Sequence, residues 1–299
     1  MDAAALATTK GLDFSDVDNA PDFTALSFYK IFGFPDLGAL IIRKNSGHIL
    51  EWRKYFGGGT VDMVVVLKEP WHSSKQQTLH DRLEDGTLPF HNIIALGNAL
   101  DVHEKLYGSM DQISRHTAYL GRRLYEGISS LRHANNRPLC QVYKEDGIDY
   151  TDSTTQGGTI AFNVMNADGS YVGHADVEKI ADKHDIYVRA GGLCNPGGVA
   201  TYLGLAPWQM KRSYSAGHRC GDDISILNCK PTGVVRASVG AMTTIADVDK
   251  FLIFLEEAFG QKAEPPHSAI NLPSLAPGTE PRSAVDWLTK QNAMAGPSG

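Results

Sequence analysis

Two residues in this sequence could do covalent chemistry. Lys30 lies in Ser27-Phe-Tyr-Lys30-Ile-Phe-Gly33-Phe-Pro35, among aromatic residues and directly before a glycine-containing turn. Apolar surroundings disfavour an ammonium ion, so the free amine becomes available near neutral pH and can condense with an aldehyde. The plainer reading of this segment alone is a snorkelling lysine whose stem covers apolar surface. Cys194 lies in Ala190-Gly-Gly-Leu-Cys194-Asn-Pro-Gly-Gly198, a glycine-rich loop that can move and bring backbone close to a ligand. A free thiol with a pKa of about 8.5 is only a few per cent thiolate at neutral pH, so a nearby cation such as Arg189 would favour the reactive form. Its plainer reading is a small apolar cysteine in a turn.

The elements that must position these residues can be read from periodicity. Residues 37–43 form a continuous apolar run, as a strand buried on both faces requires, which predicts a parallel sheet between helical layers. Gly57-Gly-Gly-Thr60 reads as a flexible loop and Asp85-Gly86 as a turn. A helix is expected over 91–107, with Ile93, Ile94, Leu96, Leu100, Val102 and Leu106 as its apolar face, and another over 110–131. The rest reads as α+β: strands at 159–164, 186–189 and 234–239, with helices at 175–184 and 245–259. Thr244 suits the N-cap of the last helix, with Asp247 and Asp249 in or near its first turn. From Lys262 onward Pro, Ser, Ala and Gly dominate, which predicts a mobile tail.

Composition excludes several classes. A chain of 299 residues with 42% apolar content can bury one large core or two modest ones. Net charge is -6 and no Lys/Arg block is present, which disfavours nucleic-acid binding. The longest apolar run, Phe251-Leu-Ile-Phe-Leu255, is too short to cross a bilayer, and a cytoplasmic protein is the default expectation. Four scattered cysteines do not make a disulfide framework. His218, Cys220 and Cys229 raise a zinc question, but their spacing is irregular and no C-x-x-C pair accompanies them, so no metal site is expected.

The strings Asp22-Phe-Thr-Ala-Leu-Ser-Phe-Tyr-Lys30-Ile-Phe-Gly33, Phe56-Gly-Gly-Gly-Thr60, Glu84-Asp-Gly-Thr-Leu-Pro-Phe90, Arg189-Ala-Gly-Gly-Leu-Cys194-Asn195 and Lys230-Pro-Thr-Gly-Val-Val-Arg236 resemble the molybdenum cofactor sulfurases. These contain a cysteine-desulfurase-like module of the class V aminotransferase kind. The resemblance runs from the first residues to about Phe259. It implies a fold type I pyridoxal-phosphate-dependent transferase, α/β, with part of a large, mostly parallel-sheet domain at 1–105, an α+β small domain at 106–260 and the tail at 261–299.

The same resemblance implies the roles. Lys30 is the Schiff-base lysine, and Asp2 keeps the pyridine nitrogen protonated so that the ring acts as an electron sink. Ser27 contacts the cofactor phosphate, and Thr87 does so across a homodimer interface. Arg236 receives the substrate carboxylate with its planar guanidinium, beside Arg189. Cys194 carries sulfur taken from L-cysteine as a persulfide, for delivery to molybdenum cofactor or its carrier enzyme.

The chain starts almost at the presumed pyridine aspartate, so an N-terminally truncated module is expected, with an apolar edge and face uncovered. A noncatalytic dimerisation module, or another class V enzyme such as an aminotransferase or a kynureninase-like hydrolase, is the alternative.

Overall fold

The computed structural model describes residues 1–261. The strands are β1 (Phe23–Ser27), β2 (Gly38–Ile42), β3 (Val61–Val65), β4 (Trp71–Ser74), β5 (Cys140–Tyr143), β6 (Thr159–Val164), β7 (Arg189–Gly191), β8 (Ile226–Leu227), β9 (Lys230–Pro231) and β10 (Val234–Ser238). The helices are α1 (Phe28–Phe32), α2 (Phe90–Tyr107), α3 (Met110–Ser130), α4 (His174–Asp182), α5 (Pro196–Tyr202), α6 (Pro207–Ser215) and α7 (Ile245–Phe259). Apart from Gln261, the expected tail lies outside the described residues.

The core forms around an antiparallel sheet of order β5-β6-β10-β7. Side chains alternate across a strand. Ile160, Phe162 and Val164 of β6 and Val235 and Ala237 of β10 therefore point to one face, where they are buried with Leu120, Leu124 and Ile128 of α3, Val177 of α4 and Phe254 and Leu255 of α7. Each fully buried side chain of this size contributes about 1.5–3 kcal/mol. The intervening residues, Ala161, Val234 and Arg236 among them, belong to the opposite face.

Helix starts follow local chemistry. The Ser109 hydroxyl accepts from Gln112 N while the Gln112 amide accepts from Ser109 N, closing a capping box on α3. Thr244 and Asp247 do the same for α7, so the expected cap and the helix it starts are both found.

The N-terminal part differs from expectation in its sheet. Residues 37–43 do contain a strand, but β2 pairs antiparallel with β1, and Leu40 and Ile41 are exposed. A parallel return needs a crossover of a dozen or more residues. The short link from Ser27 to Gly38, occupied by α1 and a turn, brings the chain back antiparallel instead. The parallel relationship survives in one bridge, Asp2 to Ala25. β3 and β4 form a separate antiparallel hairpin that the apolar pattern did not reveal.

Helix α2 forms where expected, yet Ile93, Ile94, Leu100, Val102 and Leu106 are exposed. Periodicity shows which residues favour burial without naming what covers them. Among the described residues no helix is long and apolar enough to cross a membrane.

Candidate active site

Helix α1 is a single turn with two faces. Phe28 and Phe32, four residues apart, stack with ring centroids 6.4 Å apart, and Phe32 meets the His103 ring of α2 edge-on at 5.1 Å. Tyr29 and Lys30 turn to the other side and line a cavity of about 820 Å³. Gly33, at φ +76, ends the turn and donates its N–H to Tyr29 O, a conformation that suits glycine. The expectation that aromatic neighbours bury Lys30 is corrected here: Phe28 and Phe32 lie on the side of α2, Tyr29 and Phe34 are themselves exposed, and Lys30 is exposed on the cavity wall.

Asp2 reaches the same cavity because its backbone bridges to Ala25 of β1, the strand that leads into α1. Its Oδ1 accepts from Ala4 N at 2.9 Å.

The opposite wall is the open face of the central sheet. Arg236 of β10 and Arg189 of β7 are register partners and both line the cavity, with Tyr143 and Ala161 from neighbouring strands. Among the described residues neither guanidinium has a carboxylate partner. Arg236 Nε is buried without a hydrogen-bond partner. Burial, then the adjacent Arg189 guanidinium, push the Arg236 pKa below the usual arginine range, while the nearby Cys194 sulfur acts in the other direction, as a thiolate would.

Cys194 lies between β7 and α5, exposed and on the cavity wall. Leu193 and Cys194 have φ of +54 and +55, a left-handed pair that costs about 1–2 kcal/mol per residue outside glycine. The loop is held at both ends. Asn195 caps α5, its Oδ1 accepting from Gly198 N at 3.0 Å. On the other side a Cβ at Gly233 would come within 2.6 Å of the Gly191 backbone, so glycine there permits the close approach.

The structure thus brings together Asp2, Lys30, Arg189, Cys194 and Arg236 around one cavity. It does not bring Ser27 or Thr87 to it. Ser27 ends β1 and precedes α1 without capping that helix through its side chain. Thr87 lines a separate recess with Gly58, Gly59, Lys75 and Asp85.

Sequence reasoning missed Tyr143, Tyr150 and Tyr202, which line the main cavity. Gln141 and Tyr143 alternate with Cys140 and Val142, a period-two signal too short to read as a strand without its partner β6. Among the described residues no group of three or more His, Cys, Asp or Glu is arranged to hold a metal ion. His218 instead hydrogen-bonds the Asp222 carboxylate through Nδ1 at 3.0 Å.

An amine, a carboxylate lining the same cavity and two guanidiniums without carboxylate partners, one with an unpaired buried Nε, are the donor set that an aldehyde cofactor with a basic ring and an anionic amino acid would need. Pyridoxal phosphate fits these residues.

Known proteins resemble this chain in sequence and in fold. A molybdenum cofactor sulfurase of Botryotinia fuckeliana is 59% identical over 259 residues, covering 87% of this chain and 32% of that protein. One of Aspergillus niger is 54% identical over 263 residues, covering 88% of this chain and 32% of the relative. The chain therefore spans about a third of the length of these curated relatives. Among solved structures, the apo cysteine desulfurase of Thermococcus onnurineus shares the fold at 24% identity and TM-score 0.60, over 86% of this chain and 51% of that one. A cysteine desulfurase of Escherichia coli does so at 21% and 0.58, over 86% and 50%. The family model for class-V aminotransferases matches residues 1–251, and the chain belongs to that family.

Proposed function

We propose that this chain is the desulfurating part of a molybdenum cofactor sulfurase: it takes sulfur from L-cysteine onto Cys194 and passes it to molybdenum cofactor or the enzyme that carries it. The observation supporting this reading is the convergence of Asp2 and Lys30, from the start of the chain, with Arg189, Cys194 and Arg236 around one cavity. The names of the similar sulfurases supply the acceptor. An aminotransferase or kynureninase-like hydrolase would need no exposed thiol on that wall; Cys194 favours the desulfurase.

Bound pyridoxal phosphate would supply an aldehyde for the Lys30 amine and a ring that draws electrons from the α-carbon of the amino acid. Asp2 would hold a proton at the pyridine nitrogen, and Thr87 from the second copy of a homodimer would contact the phosphate; Ser27, outside the cavity lining, is left without that role. Arg236 orients the substrate carboxylate with its planar fork, and Arg189 adds positive charge beside it. The Lys30 amine accepts and returns the α-proton. The Cys194 thiolate attacks the substrate sulfur, forming an S–S bond; the Cβ–S bond breaks with its electron pair on carbon, which is protonated and leaves as alanine. In this reading residues 1–105 belong to the cofactor-binding domain and 106–260 to the small domain.

The test uses the protein incubated with pyridoxal phosphate and L-cysteine. Alanine and one added sulfur on Cys194, read by peptide mass, are expected. Cys194→Ser should lose the persulfide while borohydride still fixes the cofactor to Lys30. A fully active Ser variant, or a failure to reduce the cofactor onto Lys30, overturns the reading.

A further inference from the structure

A second cavity, of about 360 Å³, lies between α6 and the β8–β9 hairpin, outside the residues assigned above. Leu205, Trp208, Gln209, Arg212 and Ser213 follow helical spacing and so form one stripe facing it. Leu227, Asn228, Lys230 and Thr232 supply the other wall, and His218 joins the lining. No residue of α6 is buried, and Trp208 is 62% exposed, so this stripe serves no internal core. The volume falls within the range of small-molecule sites.

Its polar groups are selective. The chain carries net charge -6, yet the lining contains Arg212 and Lys230 and no carboxylate. Among the described residues neither cation has a carboxylate partner. Asp222 sits on His218 Nδ1; in the neutral ring that nitrogen donates to the carboxylate, leaving Nε2 as an acceptor. Gln209 spends its Oε1 on Ala206 N at 2.8 Å, which leaves its amide N–H groups as donors. Trp208 offers a flat indole face.

We propose that this cleft binds a planar heteroaromatic anion: the ring lies against Trp208, a ring N–H donates to His218 Nε2, and the anionic group meets Arg212 and Lys230. The segment carrying Cys194 continues through α5 to Leu205, the first residue of the cleft.

The probe is pterin-6-carboxylate, followed by equilibrium dialysis against the whole chain without L-cysteine or pyridoxal phosphate. Saturable one-site binding is expected, weakened roughly tenfold or more in Arg212→Gln and in Trp208→Ala. Uncharged pterin should bind more weakly than the carboxylate, and inorganic phosphate alone should compete poorly. Both substituted residues are exposed, so unchanged thermal unfolding serves as the fold control. Arg212→Gln should leave persulfide formation on Cys194 intact. Binding that survives both substitutions, or that is lost in Arg236→Gln and kept in Arg212→Gln, overturns the proposal, as does the absence of saturable binding. Because persulfide formation is read separately, a failure of desulfuration and a failure of the cleft give different results.

Discussion

Arg189 and Arg236 stand directly opposite each other across the β7–β10 pair, so two guanidiniums share one side of the sheet. Like charges placed opposite each other destabilise a sheet, and among the described residues no carboxylate offsets this pair. An anion bound between them would reduce the repulsion and could satisfy the orphaned Arg236 Nε. Functional sites are where such local costs are retained.

Arg236→Lys keeps the charge but loses the planar fork. If Arg236 grips the substrate carboxylate, KM for L-cysteine in alanine formation should rise roughly tenfold or more, with a smaller effect on kcat. A kcat loss with KM unchanged would instead assign Arg236 to the chemical step.

The four thiols should separate by reactivity. Cys194, Cys220 and Cys229 are exposed, whereas Cys140 of β5 is buried in the core, and burial pushes its pKa up to about 12. Since the thiolate is the reactive form, iodoacetamide at mildly alkaline pH should label three cysteines in the native protein. Cys140 should react only after unfolding. Native labelling of Cys140 would mean that the β5 edge opens.

The cap of α7 gives a stability prediction. Thr244→Ala removes the acceptor for Asp247 N and should cost about 1 kcal/mol in urea unfolding. Hydrogen bonds from Thr244 hold the Asp247 carboxyl below its ordinary pKa. That contribution is therefore present above the unfolded carboxyl pKa and is lost as pH falls through the lower folded value. Asp247→Asn should flatten the acid limb of the stability curve.

Much of this arrangement was legible in the sequence where one element decides the matter. Thr159 to Val164 and Ile245 to Phe259 are an alternating run and a capped amphipathic run, and both elements have the expected bounds. Where pairing decides, the sequence was less informative. The strand expected at 186–189 lies at Arg189–Gly191, because hydrogen bonding to β10 begins only at Arg189, after Ile186 and Val188 have packed on the core. The exposure of Leu40 and the antiparallel direction of β2 likewise follow from chain return, which hydrophobicity does not encode. At the site, each residue type suggested its chemistry. That Asp2 and Lys30 share a cavity with Arg236 depends on contacts across most of the chain, which a family resemblance carried and local pattern could not.

His174 should make stability fall on mild acidification. It is the first residue of α4 and only 5% exposed. Thr232 Oγ1 donates to Ile224 O at 2.6 Å, so at 3.1 Å it is placed to accept from His174 Nε2–H. That fixes the neutral tautomer with its proton on Nε2, leaving Nδ1 buried and unpaired. Burial, and next the His218 ring, lower its pKa, while Asp222 and Asp176 act in the opposite direction. The start of a helix also disfavours a cation. Above about pH 6.5, the ordinary histidine value, both folded and unfolded chains hold this ring neutral and the term vanishes. Below it, the unfolded chain takes up a proton that the folded chain resists, so stability declines by at most about 1.4 kcal/mol per pH unit until the folded pKa is reached. His174→Gln can keep a donor for Thr232 and cannot titrate. Its urea midpoint should therefore fall less than that of the parent chain between about pH 7.5 and 5.5. Parallel falls in the two proteins would show that His174 is protonated as easily folded as unfolded.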